Sequence, residues 1–241
     1  MTRTAPQVRR RASRDAFDCA LCRELLDWGV SLEHGADFDT GIHDYEYEHA
    51  SDLYRVAAPV DAVYSILAGT VKIVKPGPAG EQRIVRVLKT GDVAEIESIF
   101  SDAFEHTAIA VGKVRACRIP IAWLRKFVAG SGRIQMRLLQ KSLTDLREAE
   151  TWLSQLTGGA TPARTRMARL MLRLRVDAGD RIHRYSIDDM GDIMGITPET
   201  VSRIISEFCR QGIVARTGSS IAAERYFRGD IAALERIAQE V

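Results

Sequence analysis

The spacing of apolar positions changes twice along the chain, and each change marks a different architecture. From about 40 to 120 the apolar residues come in short runs separated by turn chemistry. Residues 63–67 and 70–74 are rich in Val, Ile and Tyr, with Ala68-Gly69 between them, and residues 84–88 follow Pro76-Gly77-Pro78-Ala79-Gly80. Such β-branched and aromatic runs predict strands, and the Pro/Gly cluster predicts a hairpin. Lys89-Thr90-Gly91-Asp92 predicts another turn. Short strands joined this way predict a small antiparallel barrel or roll. From about 133 to 156 the period becomes helical. Leu139, Leu143, Leu146 and Leu153 recur at intervals of 4, 3 and 7, a seam of heptad type, and Glu150 stands where the next seam residue belongs. Such a helix either meets a second copy of itself or packs on its own barrel.

Gly158-Gly159-Ala160-Thr161-Pro162 predicts a hinge after the seam helix, and residues 163–176 a further helix. Residues 186–194 read as a short helix with Ile187, Met190 and Met194 on its apolar face and Gly191 leaving room for a crossing helix. Gly195-Ile196-Thr197 is the turn, where glycine supplies an awkward backbone angle. Thr197 suits an N-cap and Pro198 a first helical position. The next helix then buries Val201, Ile204, Ile205 and Phe208 and exposes Glu199, Thr200, Ser202, Arg203 and Glu207. Arginine can donate two bonds to guanine, glutamate can accept from cytosine N4, and hydroxyls reach bases or phosphates. The bland alternative is an i,i+4 surface ion pair between Glu199 and Arg203. Residues 212–215 and 218–221 predict a two-stranded wing.

Charge is uneven although the net formal charge is only +2. Residues 1–14 hold five arginines and no acid, residues 18–60 hold ten acids against Arg23 and Arg55, and residues 160–228 hold twelve arginines, no lysine and eight acids. A basic end on an acidic body suggests a polyanion partner for one end only, and the bland alternative is a solvated arginine face. No apolar run reaches the length of a membrane span, and the arginine-rich start lacks the apolar stretch of a secretory signal, so a cytoplasmic protein with no membrane partner is expected. In that compartment Cys19, Cys22, Cys117 and Cys209 are not expected to form disulfides. The close Cys19–Cys22 pair indicates metal binding or thiol redox chemistry. No Gly-rich phosphate loop or Gly-x-Ser-x-Gly elbow is present, so an enzyme is not expected.

The string Gly195-Ile196-Thr197-Pro198-Glu199-Thr200-Val201-Ser202-Arg203 resembles the recognition segment of the Crp/Fnr family of bacterial regulators, and Tyr64-Ser65-Ile66-Leu67-Ala68-Gly69-Thr70-Val71-Lys72 resembles that family's β-roll signature. The Glu-x-x-Ser-Arg spacing at Glu199, Ser202 and Arg203 is similar to the Fnr branch. The resemblance implies an α+β protein: a flexible basic arm (1–17), a cyclic-nucleotide-binding-like antiparallel β-roll with an N-terminal cysteine segment (18–130), a dimerisation helix (131–158) and a C-terminal winged helix-turn-helix (159–241). It implies a transcription regulator that binds double-stranded DNA as a homodimer on a TTGAT-type palindrome, with RNA polymerase as a further partner. Its DNA-contacting residues would be Thr197, Glu199, Thr200, Ser202 and Arg203, and its dimer seam Leu139, Leu143, Leu146, Glu150 and Leu153.

The resemblance also bears on the signal. His106-Thr107 stands where the cyclic-nucleotide branch carries an arginine before Ser or Thr, and without that bidentate phosphate donor cyclic AMP is not expected. The Fnr branch implies a [4Fe–4S] cluster that responds to oxygen or nitric oxide, here on Cys19, Cys22 and Cys117. The position of a third N-terminal cysteine is Trp28. A cluster of this kind normally takes four cysteines, so a non-cysteine ligand is expected, Asp27 first, then Glu24 and His34. Zinc on the same residues, a redox-active thiol pair, or no cofactor at all in a constitutive regulator remain open. Cys209, at the end of the recognition helix, reads either as inert or as an oxidisable thiol beside the DNA.

Overall fold

A computed structural model describes residues 8–11, 19–27, 41–77, 82–94, 96–156, 161–176, 178–216 and 226–240. The chain divides into two units, Met1–Glu148 and Ala149–Val241.

In the first unit the two apolar runs around Gly69 are one fifteen-residue strand, β4 (Ala62–Pro76), rather than two. Gly69 explains this. It holds φ +94°, and a Cβ there would lie 2.6 Å from the Lys113 carbonyl oxygen. Glycine therefore absorbs a bulge, seen as register shifts between Ile66 and Ala68 and between Ala68 and Thr70, and the strand bends without ending. The predicted hairpin forms between β4 and β5 (Gln82–Leu88), with Pro76 opposite Gln82. In the next turn Asp92 accepts a hydrogen bond from the Lys89 backbone N–H at 2.7 Å. β6 (Val93–Ala94) pairs with β4, and the long β7 (Thr107–Pro120) lies between β4 and β2 (His43–Tyr47), with β3 (Asp52–Tyr54) also paired to β7.

The sheet continues onto a strand within the expected flexible arm. β1 (Val8–Arg11) pairs antiparallel with β2 and places Arg9 opposite Glu46 and Arg11 opposite Asp44. Its arginine composition hid it, because the strand it pairs with lies some 35 positions on by the same register.

α1 (Ala20–Asp27) packs against β4, and Leu21 and Cys22 join the core of the sheet. α2 (Ile121–Gly130), which the sequence pattern did not isolate, follows β7 directly and buries Ile121, Leu124 and Val128. α3 (Gly132–Leu156) is the expected long helix. Its first turns bury Ile134 and Leu138 in the core, and Arg86 of β5 pairs with Asp145 at 3.4 Å. The seam residues do not join that core: Leu139, Leu143, Leu146 and Leu153 are 54, 45, 55 and 52% exposed. Within the first unit, Leu139, Leu143 and Leu146 are therefore not packed on the barrel.

The second unit contains α4 (Ala163–Arg173), β8 (Arg181–His183), α5 (Ile187–Met194), α6 (Pro198–Arg210), β9 (Val214–Arg216), β10 (Tyr226–Gly229) and α7 (Ile231–Gln239). α4 ends three residues before the predicted 176. β10 lies between β8 and β9 in a three-stranded sheet. The expected wing strand at 218–221 lies outside the described residues, as do Gly158 and Gly159 of the hinge. Arg166 is buried, and its Nη1 donates to the carbonyls of Leu156, at 3.0 Å, and Met194, at 2.8 Å. It thus joins the last turn of α3 to the last turn of α5. Burial lowers its pKa by stripping hydration from the guanidinium. Among the described residues no helix is long and apolar enough to cross a membrane.

Candidate metal centre and nucleic-acid interface

Cys19 immediately precedes α1, Cys22 lies in its first turn, and Cys117 sits near the C-terminal end of β7. Docking of α1 onto the sheet brings the three sulfurs within 4.8 Å of one another, and all three residues are buried. The helical turn itself sets part of the geometry, because the Cys22 backbone N–H points at Cys19 Sγ from 3.3 Å. The three thiols share their protons. Hydrogen bonds from Cys117 and Cys22, aided by Ser65 and the Cys22 N–H, pull the Cys19 pKa down to about 3 against the opposing effect of burial. For Cys22 the bond with Cys117 acts downward, but Cys19, burial and Asp44 together push it up to about 12. Cys117 is raised by both neighbouring thiols and by burial. The three thiols therefore titrate as one coupled group, in which hydrogen bonds from its neighbours favour the thiolate at Cys19.

Asp27 does not join this group. It is exposed at the last position of α1 and is absent from the set of close ligand atoms. Five positions after Cys22 on a helix is well over one turn, which carries Asp27 round to another face. His34 and Trp28 fall outside the described residues, and so does the side chain of Glu24. Two residues the sequence reading passed over lie beside Cys117 instead. Asp44 of β2 and Ser65 of β4 are its direct cross-strand partners. Only sheet register could reveal them, since they are 73 and 52 positions away by that pairing. At His106-Thr107, the Thr107 hydroxyl accepts the Val56 backbone N–H at 3.1 Å.

In the second unit, Ser186 caps α5 by accepting the Asp189 N–H at 3.0 Å. Gly195 ends α5 in the left-handed region at φ 63°. A Cβ on Gly191 would lie 2.8 Å from the Ile196 carbonyl oxygen, so the small residue makes room for the turn. Thr197 caps α6 by accepting the Thr200 N–H at 3.4 Å, and the two threonine hydroxyls are 3.3 Å apart. α6 buries Val201, Ile204, Ile205 and Phe208, as expected. α5 buries Met190, Ile193 and Met194, whereas Ile187 at its start is 39% exposed. The outward face of α6 carries Glu199, Ser202 and Arg203, and continues through Ser206 and Arg210, both of which the sequence reading left out although they extend the same helical stripe. Bonds from its own backbone N–H and from Thr197 hold the Glu199 carboxyl below its ordinary pKa, so it is an acceptor at neutral pH. Among the described residues no ion pair joins Glu199 to Arg203. Glu207 is engaged differently, by Arg164 at 3.4 Å and Gln211 at 3.1 Å.

Two family models match the chain: a Crp-like helix-turn-helix domain over residues 165–236 and a cyclic nucleotide-binding domain over residues 46–131. The chain belongs to the Crp/Fnr family. It is a DNA-binding transcription regulator of the Crp/Fnr type, and its relatives are regulators rather than enzymes. One relative, the CRP-like cAMP-activated global transcriptional regulator of Mycobacterium tuberculosis, is 23% identical over 211 residues, covering 85% of this chain and 94% of that protein. Another, an anaerobic regulatory protein of Pasteurella multocida, is 25% identical over 215 residues, covering 85% and 77%. The solved structure of FixK2 from Bradyrhizobium japonicum matches with a TM-score of 0.71 at 24% identity, over 83% of this chain and 98% of that one. Crp/Fnr relatives of nearly equal identity thus carry different names for their signals, and likeness alone does not select the effector of this member.

Proposed function

We propose that this Crp/Fnr regulator senses a redox or gas signal, oxygen or nitric oxide, through a metal–thiolate centre on Cys19, Cys22 and Cys117. The observation that carries this reading is the burial of three thiols, drawn from two segments nearly a hundred positions apart, within 4.8 Å of one another. Apolar burial alone requires no such convergence, and the donor set suits a thiophilic metal. A [4Fe–4S] cluster is the first reading, supported by the Fnr-like recognition string and by relatives such as the anaerobic regulatory protein. A single zinc ion is the second. Tetrahedral zinc with bonds of about 2.3 Å spaces its sulfurs by about 3.8 Å, which suits the close packing of these thiols, whereas a cluster that places a separate iron under each sulfur needs them further apart. When bound, either group would hold Cys19, Cys22 and Cys117 as thiolates, and oxidation or nitrosylation of that metal–thiolate centre would report the signal. Asp27 is not carried forward as a ligand.

The chain's own residues would do the rest. Cys117 would tie the cysteine segment to the middle of the sheet. The exposed leucines of α3 would meet a second copy, giving the homodimer typical of the family. Thr197, Glu199, Thr200, Ser202 and Arg203 would read a TTGAT-type half-site in each of two successive major grooves, the two threonines also holding the helix cap. RNA polymerase is the further partner this reading implies.

Iron, sulfide and zinc content and the absorption spectrum of protein purified without oxygen test the centre. A brown protein near four irons and four sulfides, bleached by air with loss of palindrome binding, is the expected result. Stoichiometric zinc in a colourless protein moves the reading to a single ion. Metal-free protein that binds the palindrome equally with and without air ends the sensor reading and leaves a constitutive regulator.

A further inference from the structure

The three thiols leave the centre one ligand short, and the residues around them differ sharply in what they can offer. Asp27 is exposed and outside the group. Asp44 is half-buried and already takes part in other interactions. Ser65 is fully buried at 0% exposure, and its Oγ makes no hydrogen bond of good geometry among the described residues. A buried hydroxyl left in this state carries a desolvation penalty that an apolar residue of similar size would avoid.

The position of Ser65 is set by the fold. It lies directly opposite Cys117 across the β4–β7 ladder, and directly paired antiparallel residues project to the same face with Cβ atoms about 5 Å apart. Cys117 meets Cys19 and Cys22 on that face. β4 cannot slide to turn Ser65 away, because the bulge at Gly69 pins the register a few residues on.

We propose that Ser65 is the fourth ligand-bearing residue of the thiol site, its hydroxyl oxygen occupying the place a fourth thiolate would fill. This rests on the metal-centre reading above. It specifies a three-sulfur, one-oxygen donor set supplied by α1, β7 and β4 together. An oxygen donor binds thiophilic metals less firmly than a thiolate, so the Ser65 side is where the centre exchanges a ligand most readily.

Cobalt(II) is the probe, because it takes tetrahedral thiolate sites and reports their sulfurs through thiolate-to-metal charge-transfer absorption. Reduced, metal-free, full-length protein is titrated with cobalt(II) anaerobically and the affinity is measured against a chelator. With three thiolates becoming four, Ser65→Cys is expected to raise the charge-transfer absorption by about one third. Ser65→Ala is expected to weaken cobalt binding about tenfold or more, at least the effect of losing an outer partner. Asp27→Asn and Asp44→Asn are expected to match the parent. If Ser65→Ala melts too low to assay, the nearly isosteric Ser65→Cys decides alone. A Ser65→Cys protein with parental absorption, whose new thiol still reacts with a thiol reagent in the cobalt-loaded state, overturns the assignment. So does an affinity loss confined to Asp44→Asn. A parent protein that shows no thiolate-to-cobalt absorption at all overturns both this assignment and the metal-centre reading, a failure distinct from the previous two.

Discussion

Arg203 and Arg164 show how differently two arginines of one segment can be used. Arg164 is bonded to Gln211 at 2.9 Å and to Glu240 at 3.4 Å, and its guanidinium lies over the Phe208 ring. Arg169 donates to the Ala238 carbonyl, Arg173 to Gln155, Arg175 to Gly179 and Arg228 to Asp180. Together with buried Arg166, these arginines hold the second unit together. Arg203, Arg210 and Arg216 are exposed and make no such bonds among the described residues. The basic excess in this region is legible in the sequence, but composition does not say which guanidinium already has an acceptor and which is left to face a polyanion. Arg203→Ala is expected to weaken binding by about 1–3 kcal/mol and to relax preference at one base pair of each half-site. Thermal unfolding should be unchanged, since the side chain is exposed. Arg216→Ala is expected to weaken all sequences alike and to lower the salt slope by about 1. Anisotropy titrations against a set of single-base operator variants at several salt concentrations separate the two. An equal loss on every variant for Arg203→Ala would remove it from base readout.

At the scale of elements, legibility followed local chemistry. The cap at Thr197, the left-handed Gly195 and the apolar period of α6 are written in adjacent residues, and each was found in place. The β4–β5 hairpin was equally local. β1 and β10 were missed because their stability comes from partners far along the chain, and a strand of three arginines and a valine has no apolar alternation to betray it. The thiol trio was half legible: the cysteines could be counted, but Ser65 and Asp44 enter only through register. Gly191 tests the helix-turn-helix packing directly. Alanine there gains up to about 1 kcal/mol of helix propensity. Its Cβ, however, would stand 2.8 Å from a backbone oxygen that cannot swing aside. Overpacking of this kind costs about 1–3 kcal/mol, so the clash outweighs the propensity. Gly191→Ala is therefore expected to lower the melting temperature and weaken operator binding. A rise in melting temperature would show that the α5–α6 crossing has room to spare.

For the whole molecule, the question is how ligation at α1 and β7 reaches the DNA. α3 is the element through which it would act, since its first turns lie in the sheet core and its exposed stripe offers a surface for a second copy. In a parallel pair of such helices each seam position meets its own counterpart, so Glu150 would face Glu150 in an otherwise leucine-lined seam. Two carboxylates brought together out of water would oppose association and would leave such a dimer weak enough for a modest change near the thiols to decide its formation. Leucine at that position would remove the repulsion and complete the heptad. Glu150→Leu is thus expected to dimerise with or without metal and to hold the palindrome in air as tightly as the anaerobic parent does. Sedimentation at micromolar concentration and operator titrations before and after chelation measure both. If Glu150→Leu dimerises in air yet still loses the palindrome on chelation, the signal does not act through association of α3, and the route from the thiols to α6 must lie elsewhere in the chain.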